Sequence, residues 1–540
     1  MKKYFIKIEL LAVLFFAIGF SACDLDINDN PNSATGSVVT PDLTLPAAVA
    51  SLAYTQIYYY GYASAGYWIG FQLPGSGVSG FGDTYTYNLN ASSNTANWTE
   101  VFAHLRQFNA VINKAEVNPK YALYGGISRI LKAYGYQLLV DAYGDVPYTE
   151  SLQGGAGNYL PKYDKGADIY KALIVDIDAA IASLKENQAK VGGGGVSAVT
   201  ANGDPVFEGD INKWIKFANN LKLRLLIRAE GSEIDSFVKE AFGKFSSDGF
   251  LKENVLVNPG YNATSRQTPL WNTYHSGAAG SSPTPTQASR YYIPSRYVLS
   301  FYDGKKLTDN FRGSLIYKGF PNVPAGQLGQ EASGHPDHPQ SPTYIWYLGA
   351  AGSRTDAKGL LKSQSAPAPF FLSAEIYFLL AEAALNGHVL DGDAVSNFNK
   401  GIEASFGYLA ISGVSTTVPS VTAEVAAYKA DNSSNYLVNF DLATTTAQKL
   451  EAIITQKYIA LNLINSNEAW NEFRRTAYPI IVNDNPIDPY KSFVSIQSNS
   501  THHDKLPVKL VYPQSEINLN GDNVPATRNP FQDRVFWDKD

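Results

Sequence analysis

The chain has 540 residues, enough for one large or two ordinary domains with an ample core. It carries 43 Lys and Arg against 49 Asp and Glu, a net charge of −6, which argues against nucleic acid as a partner. Only 17% of residues are charged while 13% are aromatic and 35 are Tyr, a balance that suits either wet polar interfaces or a Tyr-rich core. A single cysteine rules out an intramolecular disulfide.

Lys2, Lys3 and Lys7 precede an apolar run from Leu10 to Phe20 that closes on the small residues Ser21 and Ala22, which is secretory-signal anatomy over residues 1–22. The run is far shorter than the roughly 20 residues that cross a bilayer as a helix. Cys23 directly after the cleavage site resembles the acceptor of a bacterial lipoprotein signal, with Phe20 departing from the usual Leu. Lipidation there would hold the protein to a membrane without spanning it, since several acyl chains anchor stably where one does not. A flexible polar tether follows to about Thr40. Its acidic residues Asp24, Asp26 and Asp29 fit inner-membrane retention in one group of bacteria and surface export in another.

Helical periodicity then takes over. Trp98 to Glu116 places Trp98, Val101, Phe102, Leu105, Phe108, Val111 and Ile112 at three- and four-residue spacing, and Asn118-Pro119 ends the run. Further helices are expected at Tyr121 to Tyr143, Ile169 to Leu184, Ile211 to Arg228, Glu233 to Phe242, Ser373 to Asn386, Ala394 to Phe406, Ala447 to Ile464 and Glu468 to Arg475. Strands are few, so the fold is expected to be mainly α. Helix pairs joined by turns suggest tetratricopeptide-like stacking within one domain over residues 41–540, although that repeat's consensus signature is not visible.

Residues 246–369 interrupt this pattern with a long irregular insertion rich in Gly, Pro, Ser and Tyr. A stretch of that length is uncommon in a compact domain unless it is functional or built of short elements. Two segments combine flat rings with hydrogen-bonding side chains, as sugar binding requires. IYYYGYASAGYWIGFQ holds Tyr67 and Trp68; RQTPLWNTYHSG holds Arg266, Trp271, Asn272 and Tyr274. These six are the candidate ligand-binding residues, against the plainer reading that the rings only pin loops to the scaffold. Trp98 fits helix core better.

Catalytic motifs are missing. GSGVSG is not a GxSxG nucleophile elbow because Ser79 is followed directly by Gly80. There is no HExxH, and the glycines 192–195 lead into no GK[ST]. His335, Asp337 and His338, and likewise His502, His503 and Asp504, cluster in sequence, but loop residues of this kind are more often merely polar, and no metal site or cofactor is expected. DLDINDNPN starts like a calcium loop yet lacks its Gly and its closing Glu.

Four segments in order resemble the SusD/RagB family of nutrient-binding outer-membrane lipoproteins of Bacteroidetes, in its SusD-like branch. They are DAYGDVPYTESL from Asp141, GDINKWIKFANNLKLRLLIR from Gly209, SAEIYFLLAEAALNG from Ser373 and ITQKYIALNLINSNEAWNEFRRTAYP from Ile454. LVYPQSEINLN from Leu510 resembles the closing segment, without the usual preceding Arg. All of these read as packing elements, with Arg474 and Arg475 placed to meet carboxylates such as Glu375 or Glu382. The resemblance implies a cell-surface lipoprotein that captures a glycan or other nutrient and closes over a TonB-dependent SusC-like transporter. It also implies surface export for the acidic tether and no enzymatic activity. A lipid-anchored glycoside hydrolase and a peptide-binding surface lipoprotein remain the alternatives.

Overall fold

The computed structural model describes residues 39–540 apart from 278–284, 331, 333, 342–343, 350–356, 414, 416, 527 and 540. The signal segment, Cys23 and the tether up to residue 38 lie outside the described residues. The protein is mainly α-helical, and its principal helices are α1 (Pro41–Thr55), α2 (Thr95–Val117), α3 (Ala122–Tyr143), α4 (Gly166–Gln188), α5 (Ile211–Ala229), α6 (Asp235–Phe242), α7 (Pro269–Tyr274), α8 (Ser373–Leu385), α9 (Ala394–Ala410), α10 (Thr446–Leu461) and α11 (Ser466–Thr476). Two small antiparallel pairs complete it: β1 (Leu73–Pro74) with β3 (Tyr292–Ile293), and β2 (Val255–Val257) with β4 (Ala368–Phe371).

Consecutive helices pack on one another: α2 on α3, α3 on α4, α4 on α5, then α8 on α9 and α10. The antiparallel pairing of neighbours is what helix-turn-helix stacking predicts. α3 is buried on almost every side. Its glycines make that possible: a Cβ on Gly126 would stand 2.5 Å from Leu184 of α4, and one on Gly135 would stand 2.9 Å from Leu105 of α2. The helix ends at Gly144, whose φ of +81° suits glycine. The following turn is fastened by Asp164, whose carboxylate accepts from the Tyr148 and Thr149 amides at 2.9 Å each.

Side-chain caps set other helix starts. Asp210 accepts from the Asn212 and Lys213 amides ahead of α5, Asn465 from Glu468 ahead of α11, and Thr445 forms a capping box with Gln448 at α10.

The four sequence signatures converge on one buried charge network. Arg228 pairs with Asp141 at 2.6 Å, with Glu472 at 3.1 Å and with Glu468. Arg224 pairs with Glu375 at 2.7 Å, and Lys457 lies 3.2 Å from Glu472. Arg475 grips both oxygens of Glu382, at 2.6 and 2.8 Å, and also reaches Glu472. Arg474 instead donates to the backbone carbonyls of Val508 and Asp141, with its guanidinium 3.6 Å over the Trp470 ring. Burial pushes the Glu472 carboxyl up, but Arg475, Lys457 and Arg228 outweigh it and hold it well below the usual carboxylate range. Near the C-terminus, the Trp537 indole N–H donates to Asp141 at 2.9 Å, tying the last residues of the chain to the same network.

The insertion is built of short elements rather than one long loop. It contains α7, a turn of helix at Gln287–Tyr291, another at Arg296–Leu299, a longer one at Asn310–Ile316, and strands β2 and β3.

Candidate functional site: a tyrosine surface beside α7

α1 does not stop at Thr55. Its backbone widens into a ten-residue π-helical stretch, Gln56–Ala65, and closes in the turn Gly66–Trp68. The i→i+5 pattern is seen in Gly66 N–H donating to Gly61 O, and the Ser64 hydroxyl also reaches back to the Tyr59 carbonyl at 2.8 Å. Gln56 anchors the start of this stretch in the core, donating to Phe370 O and accepting from the Tyr134 hydroxyl. π-helical turns in otherwise α-helical segments are frequent at functional positions.

The wide turn aligns a row of rings. Tyr54 and Tyr58 stack with centroids 5.2 Å apart, Tyr58 and Tyr62 follow at 5.1 Å, and Tyr59 stands edge-on to both Tyr54 and Tyr58. All four are half-buried, their rings packed against one another and partly exposed.

The insertion supplies the rest. The Tyr274 ring meets Tyr62 edge-on at 5.7 Å, and Tyr292 of β3 stacks on Tyr62 at the same distance. Tyr292 also joins the row by hydrogen bonds, its hydroxyl accepting from Tyr67 at 2.6 Å and from Tyr62 at 3.3 Å. At the far end of α7, His275 lies over Trp271 at 4.3 Å and stacks on Tyr344 at 5.0 Å. The two ring-rich segments singled out in the sequence, about 200 positions apart, thus pack against one another at Tyr62.

Beside Tyr54 and Tyr59 opens a hollow of about 260 Å³, lined also by Glu100, His104, Tyr261, Arg266 and Gln267. Arg266 is exposed; its carbonyl accepts from the Asn262 amide at 2.8 Å, while its side chain forms no hydrogen bond or ion pair among the described residues. Burial, then Glu100, pushes the Tyr59 hydroxyl above its ordinary range, so it stays a neutral donor. Burial draws His104 down to about 4, which keeps its imidazole neutral, with Nε2 2.9 Å from the Thr55 hydroxyl. A flat aromatic face flanked by a guanidinium, a carboxylate and neutral donors is equipped to hold a ring-shaped polyhydroxylated ligand.

Of the sequence candidates, Arg266 stands on this hollow and Asn272 is half-buried on α7. The others sit differently. Trp68 is only 4% exposed and packs on Trp470 at 4.8 Å; Trp271 and Tyr274 are each 1% exposed. Tyr67 is buried through its bond to Tyr292. These four are buried in this conformation, against the expectation that Trp68, Trp271, Tyr274 and Tyr67 contact ligand directly; Tyr274 and Tyr67 instead brace Tyr62 and Tyr292. The rings that stay partly exposed, Tyr54, Tyr58, Tyr59 and Tyr62, belong to α1 and its π-helical extension, which periodicity did not reveal. The four-residue spacing of Tyr54, Tyr58 and Tyr62 was the available signal.

The histidine clusters serve the loops. His335 accepts from the Asp337 amide, and His502 Nδ1 lies 2.7 Å from Asp504. Among the described residues no group of three or more His, Cys, Asp or Glu side chains is arranged to hold a metal ion. Nor is any described helix long and apolar enough to cross a membrane.

Two family models match consecutive parts of the chain. One, described as starch-binding associating with outer membrane, matches residues 37–257; the other, described as SusD and RagB outer membrane lipoprotein, matches residues 351–533. Between them they take in most of the sequence, and the chain belongs to the SusD-like family. Solved structures share its fold. A SusD homologue of Parabacteroides distasonis superposes with a TM-score of 0.70 at 20% identity, covering 93% of this chain and 98% of its own. A chitin-binding SusD homologue of Flavobacterium johnsoniae gives 0.65 at 21%, covering 92% and 97%. One from Bacteroides uniformis gives 0.64 at 22%, covering 92% and 99%. A comparison with curated proteins finds no match.

Proposed function

We propose that this protein is a lipid-anchored receptor of the outer cell surface that captures a glycan on the tyrosine surface and passes it to a TonB-dependent SusC-like transporter. The observation that carries this reading is the placing of the half-buried Tyr54 and Tyr59 on one hollow with Arg266 and Glu100, the ring row continuing through Tyr58 and Tyr62. Aromatic faces stack on the apolar faces of sugar rings while the charged and amide groups bond hydroxyls. The family descriptions, an outer membrane lipoprotein and a starch-binding protein, support the address and the ligand class, and the chitin-binding relative supports a glycan further.

In this reading Cys23 carries the lipid and the segment up to Thr40 is the leash, which keeps the protein near its transporter at high effective concentration. Capture needs no chemical step, and the protein acts by binding rather than turnover.

The test is migration of the soluble protein through native gels containing chitin-, starch- or xylan-derived polymers, with reducing-sugar release followed in parallel. Retardation on at least one glycan without release of sugar is expected. Sugar release abolished by a single Asp or Glu substitution would establish a hydrolase instead.

A further inference from the structure

A second cavity, of about 640 Å³, lies between residues 327–330 with His335 and Asp337, residues 483–489, and residues 495–505. It shares no lining residue with the hollow beside Tyr54 and Tyr59. We infer that this cavity is a second ligand site, shaped for a short neutral oligosaccharide held by hydrogen bonds rather than by ring stacking. The inference rests on the glycan-binding reading above and adds a site to it.

The volume falls within the roughly 300–1,000 Å³ typical of small-ligand pockets. Its walls are braced against one another. Gln327 N–H donates to Asp337 O at 2.6 Å, Ile496 N–H to Leu328 O at 3.0 Å, and the Asn483 amide to Asp504 O at 2.6 Å. The Ser492 hydroxyl bonds Asn483 as well, at 2.5 Å, and the His502 to Asp504 pair steadies the last loop. A site braced in this way holds its shape before ligand arrives.

Other lining side chains are left out of the bracing. Asp484, Asn485 and Lys505 are exposed and make no side-chain hydrogen bond or ion pair among the described residues. Lys505 is held at a φ of +66°, a left-handed conformation costly for a residue with a Cβ, by its own amide bonding His502 O and by Ser498 bonding its carbonyl. Deeper in the wall, Gln327 is 3% exposed and its Oε1 has no hydrogen-bond partner. Such a buried acceptor ordinarily has one.

The lining also decides the ligand class. Asp337 is offset by Arg296 at 3.2 Å, which leaves Asp484 and Lys505 with opposite charges and the cavity with no net pull on a polyanion. Amide, carboxylate and ammonium groups bond hydroxyls of either polarity, and Ile487, Ile496 and the prolines meet C–H faces. No Trp, Tyr or Phe lines it, which sets it apart from the tyrosine surface.

The test is calorimetric titration of the soluble protein with maltotriose, chitotriose and xylotriose, using two variants of unchanged thermal midpoint. Two binding events are expected for one of these sugars. Asp484→Ala with Asn485→Ala should remove one, weakening it at least tenfold, and Tyr58→Ala with Tyr59→Ala should remove the other. A single event lost only in the tyrosine variant would overturn the second site and leave the first standing. Heat from trialanine that disappears in the Asp484→Ala, Asn485→Ala variant would assign the cavity to peptides and equally overturn it. No heat with any sugar would sink both readings.

Discussion

At the scale of single residues, exposure separates rings that can touch a ligand from rings that hold the surface up. Trp68 and Trp271 are the largest side chains in the two candidate segments, and a chain read without coordinates gives them first place. Burying an indole removes a large apolar area from water, but tertiary packing decides the outcome, since Tyr60 and Tyr274 are buried as deeply. The smaller, hydroxyl-bearing rings of Tyr58 and Tyr59 remain at the boundary. Trp68→Ala and Trp271→Ala are therefore expected to destabilise the fold by about 3–5 kcal/mol, as buried aromatic truncations do. Urea unfolding would measure this, and Tyr58→Ala should cost far less. His104 provides a pH signature. Its folded pKa of about 4 lies below the ordinary 6.5, so the unfolded chain takes up the proton first. The stability it contributes is complete above pH 6.5, declines between 6.5 and 4, and is gone below. The unfolding free energy of His104→Gln, from urea titrations, should fall less steeply across that window, by a difference on the order of 3 kcal/mol.

At the scale of elements, the amphipathic helices were plain in the sequence and the irregular ones were not. Trp98 to Glu116 was expected and Thr95–Val117 is found; Ile211 to Arg228 was expected and Ile211–Ala229 is found. A polar face alternating with an apolar one is a local property, legible from spacing alone. α1 escaped because Ala, Leu, Val and Tyr surround it on most sides, leaving little contrast, and because no spacing rule announces a switch to i→i+5 bonding. The short helices of residues 246–369 depend on tertiary contacts such as Tyr274 against Tyr62, which no local window contains. The family signatures proved to be the inner faces of packed helices, joined by charge. Arg475 there holds Glu382 and Glu472 at once. Arg475→Met should leave two buried carboxylates short of a partner and cost about 3–5 kcal/mol in urea unfolding, with Arg475→Lys intermediate because it keeps the charge but loses the bidentate grip.

At the scale of the whole molecule, the helices form a packed frame, and the insertion is laid against the end of α1 so that its buried Tyr274 and Tyr292 back the tyrosine row that α1 and its extension present. The frame explains why a binding face can be built from segments so distant in the chain. It also explains why the candidate site was legible as two segments but not as individual contacts: composition marked both stretches, while the choice between inward and outward rings is made only when α7 and β3 settle on the π-helical turn. The central claim, glycan capture on the tyrosine surface, is tested most directly by the affinity of the soluble protein for a glycan that retards it, measured for Tyr58→Ala with Tyr59→Ala against the unaltered chain. The account predicts at least a tenfold loss of affinity at that surface with an unchanged thermal midpoint. Undiminished affinity at every site in a folded double variant would contradict it.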